Sequence, residues 1–371
     1  MNQPHTVLCL TAYQPMLTAS VRYRIMPYAP ALAAAGIQLR YLPFATPQLQ
    51  RLLYQPKHYP QKIVAMLSAL TQWLVKLPRQ PAAVIVQREA ALIGAPMIER
   101  WFSRRVPVIF DFDDAIFLPT DPKRSINGWL SRLARPANKT DQLLSLSSMV
   151  WAGNAYLADY ARRFNANVQI IPTVVDCEQC QPRSVPSPHI CTLGWIGSHS
   201  TARYLEQIVP VLRQLAQRYR FRLLVVGAAK PIEIEGIECI NHDWQQAREW
   251  HDFQQIDIGL YPIEADLWAE GKCGLKAIQY GAAAIPSVCS AVGVNQHIVE
   301  HGQTGFLAHN SAEWLDYLAR LLEDEQLRQT LGQAARQKIE AEYSVQRYQP
   351  TIVAALKDYL CVESAESSVQ A

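Results

Sequence analysis

The sequence predicts an α/β protein of two Rossmann-like domains, each a doubly wound parallel sheet, and three observations carry that expectation. Short apolar runs alternate with amphipathic helical stretches along most of the chain, the pattern of a parallel sheet with helices on both faces. The chain has 371 residues, too many for one ordinary core and enough for two domains of roughly 150 to 200 residues. A polar, proline-rich segment near the middle (residues 175–188, VDCEQCQPRSVPSP) reads as a linker between them.

Taken in order, the strands expected in the first domain are residues 7–12, 37–44, 82–87, 106–110, 148–152 and 168–172, each a short apolar run. Helical patterns at 23–35, 61–77 and 96–104 separate them. The stretch 61–77 (QKIVAMLSALTQWLVKL) is amphipathic and carries Trp73, with lysines near both ends. Core packing is one reading of its apolar stripe and membrane docking the other. The second domain repeats the plan with strands at 190–196, 222–226, 256–261 and 285–289 and helices such as 203–219. Helices at 313–323, 327–343 and 345–360 carry no chemistry of their own, and residues 363–371 read as a disordered tail.

Composition narrows the class. With hydrophobic residues at 49% and charged residues at 18%, the chain is of the soluble globular kind. No apolar run reaches the roughly 18 residues of a spanning helix, and the N-terminus lacks a signal-peptide pattern, so a cytoplasmic protein is expected. The 8 cysteines are scattered, several within expected strands, which suits reduced, buried thiols. Cys177 and Cys180 form a C-x-x-C without a second pair at ligand spacing, so no metal site is expected. Residues 1–185 hold 20 Lys and Arg against 10 Asp and Glu, a balance of +10; the remainder holds 15 against 22, a balance of −7. The basic first half points to an anionic partner, a phosphorylated lipid or a membrane surface, with ordinary surface variation as the alternative. Nucleic acid is not an expected partner.

The most informative stretch is residues 265–307 (ADLWAEGKCGLKAIQYGAAAIPSVCSAVGVNQHIVEHGQTGFL). Gly271 and Gly274 let the backbone approach a ligand, and a helix expected to begin near Cys273, through Leu275, offers its N-terminus to an anion. Lys272 and Lys276, four apart, would then lie on one side of that spot and hold a diphosphate without a metal. A short strand at 285–289 follows, then a second tight loop through Gly293 and Asn295 at the same sheet edge.

This order of acidic loop, glycine, helix, Ile285-Pro286 strand, glycine loop and the Glu300–Leu307 stretch (EHGQTGFL) resembles the donor half of the retaining nucleotide-sugar glycosyltransferases of family 4, group 1. The resemblance implies the GT-B fold, two Rossmann-like domains facing across a cleft, with the final helix returning to the first domain at about 345–362. It implies a first domain of 1–175, a linker at 176–189 and a donor domain at 190–344. It also implies a nucleotide-diphosphate sugar as co-substrate without a further cofactor, a lipid-linked or saccharide acceptor, retention of configuration and no obligatory metal. The family carries two glutamates eight positions apart here; aligned on Pro286, those positions are Gly271 and Gln279. Glu270 sits one residue from the first, and Gln279 retains hydrogen-bonding capacity for a ribose hydroxyl.

Other constellations fall at strand ends, where such sheets bind ligands. Gly197, Ser198 and His199 follow the first strand of the second domain, in a loop that either caps a helix or meets phosphate. Arg22 and Arg24 are candidates to clamp phosphate on donor or acceptor, and Asn154 either caps a helix or reaches the cleft. The run 108–117 (VIFDFDDAIF) offers Asp113 and Asp114 as catalytic or acceptor-side groups. The same run looks like the first motif of haloacid-dehalogenase-type phosphatases, with Asp111 as nucleophile and Asp113 as acid/base, although the later magnesium partners are missing. A non-catalytic nucleotide-sugar-binding protein is the third reading, favoured by the missing glutamates.

Overall fold

Six parallel strands form the first sheet of the computed structural model, which describes residues 5–53, 55, 57–119, 135–182, 190–228 and 230–366. They are β1 (His5–Thr11), β2 (Ile37–Pro43), β3 (Ala83–Gln87), β4 (Val108–Phe112), β5 (Met149–Ala152) and β6 (Val168–Ile170). Their order is β2-β1-β3-β4-β5-β6, so the winding reverses between β1 and β3, the place where doubly wound sheets open a ligand crevice. Strands β3, β4 and β5 are buried along their whole length, which is why their segments read as continuous apolar runs rather than alternating ones.

The single helix expected at 23–35 is broken into Ala19–Arg24, a 3-10 turn at Met26–Tyr28, and Ala29–Ala34. Pro27 and Pro30 explain the breaks, because neither offers an N–H and each crowds the turn before it. The long helix Tyr59–Lys76 forms as expected, but Trp73 is a core residue. It is 2% exposed, meets Phe44 edge to face and donates from Nε1 to the Leu42 carbonyl at 3.3 Å.

The second sheet comprises β7 (Thr192–Ile196), β8 (Arg222–Val226), β9 (Glu238–His242), β10 (Ile258–Tyr261), β11 (Ser287–Ser290) and β12 (Gly305–Ala308). Its order, β12-β11-β10-β7-β8-β9, is again parallel throughout and reverses between β7 and β10. Alternate residues of β7 and β8 feed two cores. Leu193, Trp195, Leu223 and Val225 pack with Leu212, Phe306 and Leu318 on one face. Ile196, Leu224 and Val226 pack with Phe253 and Tyr280 on the other.

Strands β9 and β12 go beyond the sequence expectation. β9 is an edge strand of sequence ECINH with no fully buried residue, so it lacks the apolar run that marks its neighbours.

The chain divides into two compact units, residues 1–173 with 348–371 and residues 174–347. Of the segment expected as linker, Cys177 and Cys180 are buried, and the Arg336 guanidinium donates to both their carbonyls. Their thiols are driven up in pKa by burial, that of Cys177 to about 11, which fits inert, reduced cysteines. Residues 183–189 of that segment lie outside the described residues. The last helix spans Val345–Glu366, and its Tyr359 hydroxyl donates to the Ser148 carbonyl at 2.9 Å in the first unit. It therefore runs into the stretch expected to be a disordered tail; residues 367–371 lie outside the described ones. Among the described residues no helix is long and apolar enough to cross a membrane.

Candidate functional site

The second unit gathers three chain segments at the carboxyl ends of its central strands. The first follows β7. Gly197 receives the strand end by donating to Val226 O at 3.0 Å, and Gly227, at φ +84°, stands so close that a Cβ there would lie 2.4 Å from the Gly197 carbonyl. Ser198 is exposed and His199 half-buried. Thr201 Oγ1 accepts from Ser198 N at 2.9 Å and donates to its carbonyl at 3.0 Å, closing a tight turn. Helix Ala202–Ala216 then starts with no side-chain cap. The Arg203 guanidinium lies over the Tyr204 ring, 4.8 Å from its centre.

The second segment follows β10. Asp266 caps the short helix Leu267–Glu270 by accepting from Ala269 N at 2.8 Å. The chain turns through buried Gly271 and half-buried Lys272 to Gly274 at φ +65°, the N-cap of helix Leu275–Ala282. That helix begins two residues later than expected, so Lys272 belongs to the turn and the four-residue helical spacing to Lys276 does not apply. Lys272 Nζ sits 5.9 Å from the Trp268 ring centre and Lys276 Nζ 5.9 Å from that of Phe253. Only Lys276 is on the helix, in its first turn, where the dipole adds to its positive charge.

The third segment is the loop after β11. Gly293, at φ +52°, presses against the second: a Cβ there would come within 3.0 Å of Ala269 O and 3.3 Å of Glu270 Cα. Asn295 is 1% exposed and donates to Ser290 O at 3.1 Å, so its amide holds the loop. A small cluster of Tyr204, Ile263 and Ala269, flanked by Val292, ties all three segments together. Beneath them the Tyr280 hydroxyl donates to Gly194 O at 2.9 Å, locking the helix to the sheet.

Gln279 has another environment than expected. It is 0% exposed, accepts from Lys276 Nζ at 2.9 Å and donates to Glu249 Oε1 at 3.2 Å. Trp244 Nε1 also donates to Glu249, at 3.3 Å. A buried carboxylate therefore stands one side chain away from Lys276, contributed by helix Glu249–Phe253. Glu249 and Trp244 carry no sequence signal because β9, which delivers the chain to them, has none of its own.

The first unit carries its own polar cluster. Asp113 and Asp114 follow β4 and are both held by Arg88, with Nε to Asp113 Oδ1 at 2.7 Å and the other arm on Asp114. Gln87 Nε2 adds a 3.3 Å bond to Asp113. Burial pushes the Asp113 carboxyl up, but the guanidiniums of Arg88 and Arg24 and hydrogen bonds from Arg88 and Ser20 outweigh it and hold it below its usual value. Arg88 has φ +61°, a left-handed conformation that costs a non-glycine residue about 1 kcal/mol or more and that clusters at functional positions. No sequence signal distinguishes Arg88; its position just past β3, at the switch point, does.

Three candidates are reassigned by their contacts. Arg24 is 1% exposed and grips Asp111 from Nε at 3.0 Å and Nη2 at 2.5 Å, with Nη1 on Ile171 O at 2.7 Å. It is a structural ion pair and not a phosphate clamp. Asp111, itself 1% exposed, cannot serve as the open nucleophile of a phosphatase. Asn154 accepts from Leu157 N at 2.9 Å and caps helix Ala155–Ala161. Arg22 is half-buried, 5.0 Å over the Tyr23 ring. Among the described residues there is no group of three or more His, Cys, Asp or Glu arranged to hold a metal ion.

Comparison with known proteins bears on the fold that carries these residues. Residues 187–324 match the family described as glycosyl transferases group 1. No curated protein is a significant match to the chain. Among solved structures, sucrose-phosphate synthase from Thermosynechococcus elongatus is similar with a TM-score of 0.70 at 14% identity, covering 96% of this chain and 100% of that one. A glycosyltransferase from Rickettsia africae gives 0.67 at 13% identity, over 97% and 99%. Anabaena HepE in complex with UDP-glucose gives 0.65 at 14%, over 95% and 99%. The chain thus has the GT-B fold, and the stretch similar to group 1 glycosyl transferases lies within its second unit.

Proposed function

We propose that the protein moves a sugar from a nucleotide diphosphate to a lipid-linked or saccharide acceptor, with retention of anomeric configuration and without an obligatory metal, in the building of a cell-surface glycan. The observation that carries this reading is the meeting of the Gly197, Gly274 and Gly293 segments around the first turn of helix Leu275–Ala282, with Lys276 held there. The similar fold of a protein described in complex with UDP-glucose supports a nucleotide sugar as donor.

In this mechanism Lys276, Lys272 and the helix dipole stabilise the diphosphate as the bond from the anomeric carbon to its oxygen breaks. The acceptor hydroxyl forms the new bond on the same face of an oxocarbenium-like sugar, and the leaving phosphate oxygen takes the hydroxyl proton. Gly197, Ser198 and His199 line the donor's phosphate side, and Glu270, Gly271 and Gly293 frame the sugar, with buried Asn295 holding the Gly293 loop in place. The first unit serves the acceptor, with Asp113 and Asp114 as its acidic groups.

The test is a thermal-shift screen against a panel of nucleotide sugars, followed by calorimetry on Lys276→Ala. Loss of a charge-assisted contact should weaken binding of the selected nucleotide by roughly 1.5 to 3 kcal/mol. Binding should survive EDTA, and the product should keep the donor's anomeric configuration by NMR. Unchanged affinity in Lys276→Ala sinks the phosphate site, and binding without any transfer or hydrolysis would make the protein a nucleotide-sugar binder instead.

A further inference from the structure

The helix Tyr59–Lys76 buries only one of its faces. Lys62, Ala69 and Trp73 point inward, while Ile63, Val64, Leu67, Leu74 and Val75 are exposed by 48, 68, 56, 42 and 87%. Ile63, Leu67 and Leu74 recur at helical spacing, with Val64 and Val75 on the adjoining row beside exposed Ser68 and Thr71, so five exposed aliphatic side chains share one side of the helix over about three and a half turns. Isolated surface aliphatics need no explanation, but a ridge of five on one helix does.

Charge identifies what the ridge fits. Residues 1–88 contain 9 Lys and Arg and not one Asp or Glu. Three of these cations are taken up internally: Arg24 by Asp111, Arg88 by Asp113 and Asp114, and Lys62 by burial against Gln55 O. Of the other six, Arg22 is half-buried and Arg40 is exposed on β2, while Arg51, Lys57, Lys76 and Arg79 are exposed and lie in sequence at or beyond the two ends of the ridge. The first carboxylates along the chain are turned inward, Glu89 to Arg135 and Lys139, and buried Glu99 to Ala90 N.

A second helix with exposed apolar side chains lies on the same face of the sheet. The connections from β2 to β3 and from β3 to β4 advance across the sheet in the same direction, so right-handed crossovers place helices Tyr59–Lys76 and Met97–Ser103 on one face. Met97 and Trp101 are 64% and 37% exposed there, with the exposed Arg105 guanidinium 4.3 Å over the Trp101 ring. An apolar ridge with cations at and beyond its ends has the chemistry of an interfacial helix. A second copy of the same face would bring like charges together without carboxylates to offset them, which disfavours a homodimer.

We propose that helix Tyr59–Lys76 docks the first unit on a membrane surface rich in anionic phospholipid, with Ile63, Val64, Leu67, Leu74 and Val75 entering the headgroup region and Lys57, Lys76 and Arg79 contacting lipid phosphates. This does not depend on the glycosyltransfer reading, because it is tested without any sugar donor. The full chain is co-sedimented with vesicles of phosphatidylcholine alone and with an added fraction of phosphatidylglycerol, at low and high salt. The protein should pellet with the anionic vesicles at low salt, and binding should fall steeply with added salt.

Val64→Ser, Leu67→Ser and Val75→Ser combined should weaken that binding by about tenfold or more, since exposed side chains can be changed without opening a cavity. Lys57→Gln, Lys76→Gln and Arg79→Gln combined should remove most of the salt dependence. Either of two results overturns the proposal: no preference of the wild type for anionic vesicles, or wild-type binding by the serine variant. A dimer in free solution that the serine variant loses, with no vesicle binding, would overturn it in favour of an interface between copies.

Discussion

Glu249 sets the orientation of the Gln279 amide. Because Nε2 donates to Glu249 Oε1 at 3.2 Å, the amide oxygen is the end that faces Lys276, at 2.9 Å. An amide rotated by half a turn would set its NH2 against an ammonium group.

Glu249→Gln should therefore weaken binding of UDP or the selected nucleotide sugar by about 1 kcal/mol, since a glutamine partner accepts either orientation of Gln279. Moving the carboxylate, as Glu249→Gln with Gln279→Glu, should restore affinity by placing it directly beside Lys276. If Lys276→Ala weakens binding and Glu249→Gln does not, Glu249 has only a packing role.

Arg88 joins Asp113 and Asp114 in the first unit, whereas every proposed donor residue is in the second. Asp113→Asn should thus lower transfer with nucleotide affinity unchanged. The pH dependence follows from the depressed Asp113 value. Its contribution to stability is complete above the unfolded value of about 3.9 and is lost only as pH falls through the lower folded one. The stability gap between wild type and Asp113→Asn should stay constant from pH 7 to pH 5 and narrow below about pH 4. A gap that closes already by pH 6 would contradict the assignment of the shift to this ion pair.

Arg24 and Asp111 form a pair whose side chains are 0% and 1% exposed. Removing one partner leaves a buried, uncompensated charge, so Arg24→Met and Asp111→Asn should each cost about 3 to 5 kcal/mol in denaturant unfolding. Burial also pushes the Asp111 carboxyl up against the pull of Arg24. A stable Asp111→Asn variant that had lost a magnesium-dependent phosphatase activity would instead revive the phosphatase reading.

Both sheets were legible because their central strands are buried on two faces and so appear as uninterrupted apolar runs; Ala83–Gln87 and Thr192–Ile196 are examples. β9 fails that test as an exposed edge strand, and the functional consequence is the loss of Trp244 and Glu249 just beyond it. The glycines at 274 and 293 were legible as turn positions, and the structure gives both a positive φ, but what they approach is the protein itself, Ile298 and Ala269 respectively, which a sequence does not show. Arg24 was not, because a sequence gives no sign that an arginine at a strand's carboxyl end has an aspartate waiting 87 residues away. Asp111 is hidden for the same reason: a two-apart aspartate motif looks identical whether its first member faces a ligand or a buried guanidinium.

Gly274 tests the geometry of the donor turn most directly. At φ +65°, with a Cβ that would fall 2.2 Å from Ile298 Cδ1 and 3.1 Å from Val294 Cγ1, alanine meets both backbone strain and a clash. Strain alone is worth about 1 to 2 kcal/mol. The Cδ1 atom is the flexible end of its side chain, but Ile298 is 3% exposed, so it has little room to withdraw, and overpacking adds roughly 1 to 3 kcal/mol. Gly274→Ala should thus lower stability by about 2 to 5 kcal/mol. Combining it with Ile298→Val removes the clashing methyl and should recover the packing part but not the strain. The double variant should therefore be more stable than Gly274→Ala, although Ile298→Val alone costs about 0.5 to 1.5 kcal/mol. Since Gly274 also sets where the helix begins, nucleotide binding should stay weak in the double variant after stability has partly returned. An additive cycle with undiminished nucleotide affinity would show that the turn tolerates a side chain and that the close approach of Gly274 to the Val294–Ile298 loop has no part in donor binding.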